Sequence, residues 1–166
     1  MREKLTSIPV RLAAMASFLV FYIFALRPFR NFFSKAIAGN LIFDDPESSA
    51  HLLYADIKVR SVTLSYLNGG TEMVLSYIPQ FGFFFLLSML GLFFFNPKLR
   101  LYGYLAGFHA GVEAVVLLSL VIGVHLSTAG FIFADFLMLY LSPLVSLGFV
   151  VYASLQSRRE KALKKR

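Results

Sequence analysis

The chain has 166 residues, is 58% hydrophobic, has a mean hydropathy of +0.71 and contains no cysteine. It is too apolar for an ordinary soluble domain, and the missing cysteines exclude disulfides, thiolate metal sites and thiol catalysis. The net charge of +7 does not point to nucleic acid, because six of the 16 Lys and Arg sit in the last nine residues beside a hydrophobic run, as in a membrane-orientation signal.

Arg2, Lys4 and Arg11 make a basic start, and 12–26 is uncharged. With Arg11 snorkelling, a first span over about 8–26 comes close to the ~20 residues a bilayer needs. Ala36-Ile37-Ala38 has the form of a signal-peptide cleavage site. Arg27, Arg30 and Lys35 interrupt the approach to it, so this helix reads as a retained anchor.

Residues 27–78 read as one extracytoplasmic region. Asn31–Ala38 suits an interfacial helix with Phe32 and Phe33 among the headgroups. Asp45 reads as an N-cap, Pro46 as the first turn and Glu47 as an acid near the dipole's positive end, so a short helix is predicted to about Tyr54. The acidic cluster lacks the spacing of an EF-hand loop. Residues 57–67 are rich in β-branched and aromatic types, with an apolar phase shift between Val59 and Val62 that suggests a bulge. Asn68-Gly69-Gly70 is a hairpin turn signal, and 72–78 returns as the second strand.

Pro79 ends that strand, and further spans are predicted at 80–95, 101–124 and 131–155, the last kinked at Pro143. Residues 156–166 form a basic tail. The fold class is therefore an all-α membrane protein with four transmembrane helices and an outward loop carrying a short helix and a β-hairpin, in one domain. The N-terminus, the 96–100 turn and the tail are basic and the 123–130 turn is not, which puts both termini in the cytoplasm.

The 101–124 helix carries Gly103, Gly107 and Gly111 at a spacing of four, a face for close helix packing. Tyr102, His109 and Glu113 fall on the opposite side. Ionisable residues within a span cost ~2.5–3.5 kcal/mol on insertion scales, so His109, Glu113 and Asp135 are functional candidates. Glu113 lies one turn from His109, at a spacing that permits a hydrogen bond, and Asp135 lines up with Ser142 and Ser146. The set reads as a structural clasp, because polar stations for a proton path are missing across the rest of the membrane. Haem ligation by His109 lacks a second histidine at the same depth, since His125 lies about 24 Å further along. No metal or other cofactor is expected.

The order of parts resembles the small membrane proteins associated with exosortase systems. The resemblance rests on a basic start and span, the stretch RPFRNFFSKAIAGNLIFDDP, an outward hairpin over Ile57–Ile78, the SYIPQFGFFFLLSML approach to the second span, and the NPKLR turn. The enzymes of those systems are membrane transpeptidases with a cysteine nucleophile, which this chain lacks, so no catalytic residue carries over. The resemblance implies a non-enzymatic accessory subunit of a complex in a bacterial inner membrane, acting beside a larger membrane partner, and the charge of the tail separately suggests a place near anionic lipid. The alternative is a small transporter or electron-transfer subunit using His109, Glu113 and Asp135.

In this naturally cysteine-free chain, an impermeant thiol reagent applied to intact cells should label a cysteine at Asn68 and miss one at Lys164. The reverse pattern overturns the orientation.

Overall fold

The computed structural model describes residues 8–43, 50–57, 61–68, 70–95 and 98–163. The chain begins with α1 (Ile8–Phe21), a π-helical turn over Tyr22–Leu26, and α2 (Arg27–Phe43). Strands β1 (Ala50–Ile57), β2 (Val62–Asn68) and β3 (Thr71–Tyr77) follow. Then come α3 (Phe83–Phe95), α4 (Leu99–His125), α5 (Ala129–Phe136), a second π turn over Leu137–Leu141, and α6 (Ser142–Leu163).

Three stretches are helical, long and apolar enough to cross a bilayer: Ile8–Ser34, Leu99–His125 and Ala129–Arg159. The predicted span at 80–95 is shorter than expected, because the helix starts only at Phe83 and has 13 residues. At ~1.5 Å per residue it covers about 20 Å, short of the ~30 Å hydrocarbon layer. Pro79 and the bend through Gly82 delay its start. The first helix, in contrast, does not stop at Leu26. Both π turns end one residue before a proline dipeptide, Arg27-Pro28 and Ser142-Pro143. There the backbone N–H of Arg27 bonds Tyr22 O and that of Ser142 bonds Leu137 O. Widening the turn accommodates a residue that cannot donate, so the helix continues through the proline.

The sheet is antiparallel in the order β1-β2-β3. Its β2–β3 hairpin pairs Asn68 with Thr71 and Val62 with Tyr77, around a turn in which Gly70 takes φ +84°. That backbone state favours glycine, and the Asn-Gly-Gly signal marks the place. The short helix expected to Tyr54 is replaced from Ala50 onward by β1, and residues 44–49 lie outside the described residues. The predicted strand at 57–67 is likewise two elements, parts of β1 and β2. Of the bulge expected between Val59 and Val62, residues 59 and 60 lie outside the described residues, and the observed register shift lies between Leu52 and Tyr54. The non-local pairing of Ala50 with Asn68 overrides the local capping signal.

Val62, Leu64 and Tyr66 alternate along β2 and, with Leu75 and Tyr77, form one buried face. That face packs on Val112, Val116, Leu117 and Leu120 of α4 and on Leu137 and Met138. A second core joins Tyr22, Phe85, Leu92, Leu105 and Ala153 from four helices. Arg11 Nη1 donates to Phe94 O at 3.2 Å, and Lys98 and Arg100 share a groove with Tyr152 and Gln156. The basic positions of α1 and the start of α4 therefore lie at one end of the bundle, beside the C-terminal half of α6.

The close helix approaches use glycines outside the 103–111 stripe. A Cβ on Gly130 would fall 2.9 Å from Gly123 Cα and also onto Ser119 O, and one on Gly91 would fall 2.9 Å from Val150. A Cβ on Gly103, Gly107 or Gly111 meets nothing within 4 Å. Gly130→Leu should lower the thermal midpoint in detergent, with a cost of about 1–3 kcal/mol for overpacking, and Gly107→Leu should leave it unchanged. Circular dichroism melts of both variants check the pair.

Candidate functional site

The polar groups converge where β3 hands over to α3. Residues 78–82 are not helical, so their amides need acceptors from elsewhere. Ile78 N–H meets Met138 Sδ at 3.1 Å, Pro79 has no N–H, and Gln80 N–H donates to Glu113 Oε2 at 2.7 Å. Glu113 is 7% exposed and His109 is fully buried.

His109 and Glu113 sit on the inner face of α4, yet neither bonds the other. The expected clasp is thus built differently. His109 Nε2 lies 3.0 Å from Ser146 Oγ, and that hydroxyl donates to Ser142 O at 2.6 Å. The histidine ring and the serine hydroxyl thus tie α4 to α6. His109 Nδ1 finds no partner among the described residues. Both side chains are closed off from solvent.

Asp135 is exposed on α5, away from this cluster, while Ser142 and Ser146 are buried. The helical line drawn through the three assumed 3.6 residues per turn, and the intervening π turn rotates the phase. Tyr102, also on the inner face, donates to Leu92 O at 3.0 Å.

Arg30 and Ser34 complete the cluster and were not singled out from sequence. Arg30 is 9% exposed, and its Nε and Nη2 reach Asn31 Oδ1 at 3.0 and 2.6 Å. Tyr77 donates to Ser34 O at 3.2 Å. Burial, followed by the nearby Glu113 carboxylate, pushes the Tyr77 phenol well above its ordinary value, so it remains a donor. The signal for these residues was Arg27, Arg30, Asn31 and Ser34 interleaved with Phe29, Phe32 and Phe33 at the far end of the first helix.

Rings fill the surroundings of His109, with Phe81, Phe85 and Phe108 centroids at 6.1, 5.2 and 5.5 Å. A flat macrocycle would have to displace them. Among the described residues no three metal-binding side chains come together. Comparison with protein-family models, curated proteins and solved structures gives no match.

Glu113→Leu orphans the buried Gln80 amide and should cost about 1–3 kcal/mol, whereas Glu113→Gln keeps an acceptor oxygen and should cost less. Unfolding midpoints in detergent give the order. Equal losses would show that the carboxylate–amide bond is not what Glu113 contributes.

Proposed function

We propose that this chain is a non-enzymatic scaffold subunit of a membrane complex, and that it docks a partner's transmembrane helix on the face of α4 carrying Gly103, Gly107 and Gly111. The observation that carries this reading is the open stripe: three glycines one turn apart, exposed, with no neighbour within 4 Å. In lipid the hydrophobic effect does not drive helices together, and close packing depends on small residues that admit a second backbone. The polar residues, by contrast, are engaged within the chain. The bond from Gln80 to Glu113 and the contact of His109 with Ser146 tie the helices to one another, which supports a scaffold over a transporter or electron-transfer subunit. Asp135, the third residue such a subunit would use, is exposed elsewhere.

The setting we propose is a bacterial inner membrane with both termini cytoplasmic. α3 then makes a fourth crossing together with the irregular 78–82 segment. The shared basic end supports this arrangement, because it brings Arg11, Lys98 and Arg100 to one side. The resemblance in layout to exosortase-associated proteins makes a protein-sorting or surface-processing complex the first place to look.

The test is affinity recovery of tagged full-length chain from native membranes. Gly107→Leu should lose a stoichiometric partner while keeping its own melting behaviour. Recovery of an unchanged complex would refute docking on this face.

A further inference from the structure

Between α2 and α4 lies a cavity of about 330 Å³, walled by Phe29, Phe33, Phe81, Ala110 and Ala114, with Arg30, Ser34 and Glu113 as its polar members. That volume equals about ten water-sized groups, and cavities this apolar do not retain water. Lipid is the medium available to fill it. The polar members favour an anion. Two of the five guanidinium N–H groups of Arg30 go to Asn31. Ser34 is 2% exposed, and its Oγ has no partner among the described residues. Glu113, the acid in the wall, is held by the Gln80 amide.

Depth agrees with a headgroup. Arg11 marks the basic end of the bundle, and from there to Arg30 the helix rises about 28 Å, close to one hydrocarbon thickness. Arg30 therefore lies level with the opposite headgroups, with Phe29 and Phe33 as interfacial aromatics. The cavity extends towards the membrane interior from that level, past Leu26 and down to Ala110.

We infer that the cavity holds one acyl chain of an anionic phospholipid from the bilayer, its phosphate bound by Arg30 and the Ser34 hydroxyl and its chain lying against Ala110 and Ala114. A guanidinium pairs with a phosphate through parallel N–H bonds, and a buried free hydroxyl adds a further donor. Ala110 and Ala114 lie within one turn of Gly107 and Gly111 on the same side of α4, so the cavity borders the glycine face, while the lipid reading does not depend on the docking reading.

The experiment reconstitutes the full-length protein in phosphatidylcholine bilayers doped with either phosphatidylglycerol or phosphatidylcholine bearing a diazirine in the acyl chain. Photolabelled peptides are then mapped. The phosphatidylglycerol probe should label Phe29, Phe33 and Leu117 well above the lipid-exposed Leu139 and Leu147 of the opposite helices. Arg30→Gln should remove a preference of about tenfold over the neutral probe, as expected for a charge-assisted bond. Ala114→Phe fills an open wall and should suppress the cavity label even if the Arg30 variant folds poorly. Arg30→Gln, a change on α2, should leave partner recovery unchanged, so loss of partner docking and loss of lipid binding are read apart. Equal labelling by the two probes in the wild type, cavity labelling no stronger than at Leu139 and Leu147, or no response to Ala114→Phe would each overturn the inference.

Discussion

The bond from the Gln80 amide to the Glu113 carboxylate is the constraint on which the rest of the structure depends. It joins the middle of α4 to the one place where the chain leaves a sheet and enters a helix without regular hydrogen bonding. Irregular backbone in an apolar setting persists only where the protein itself supplies every partner. Here the supply is complete for three successive residues: Met138 for Ile78, nothing needed for Pro79, and Glu113 for Gln80. The sheet is anchored through the same junction. Tyr77, the last residue of β3, donates to Ser34 O and so ties the sheet to α2.

Much of the fold was legible because its signals are local. Uncharged runs mark the long helices, Asn68-Gly70 marks the hairpin, and the polar residues of α4 lie on one side. The misreadings share a different cause. Asp45-Pro46-Glu47 is a sound local signal for a helix start, but Ala50–Ile57 pairs with β2 across the chain, and no local pattern carries that information. Asp135 was aligned with Ser142 on an ideal helix, and a π turn before Pro143 shifts the phase. The partner of Glu113 was sought among side chains, whereas the group that needed it was a backbone amide. Pro79 followed by a polar residue within an apolar stretch was the available clue, since a proline that delays a helix leaves orphan amides behind it.

The glycines separate into two classes that spacing alone does not distinguish. Gly123 and Gly130 let α4 and α5 meet at a distance no side chain would permit. Gly103, Gly107 and Gly111 follow the recognised four-residue repeat, yet they face outward with open space around them. A regular repeat creates a flat strip along a helix, suited to a second helix running alongside. The contact between α4 and α5 is instead a tight reversal at Leu126–Thr128, where isolated glycines suffice.

The shortness of α3 accounts for the buried polar residues. A helix of 13 residues is about 10 Å shorter than a hydrocarbon layer, and the 78–82 segment before it is backbone without helical bonding. Glu113 is the acceptor this segment requires, and it stands where a fully helical second span would have needed nothing. An acid placed for that purpose brings its own demand for a donor, which the buried Gln80 amide meets. The polar cluster is therefore explained by the fold's own broken helix. The groups that the fold itself leaves open lie elsewhere, on the bare glycine face of α4 and at the Ser34 hydroxyl beside Arg30, which has no partner among the described residues.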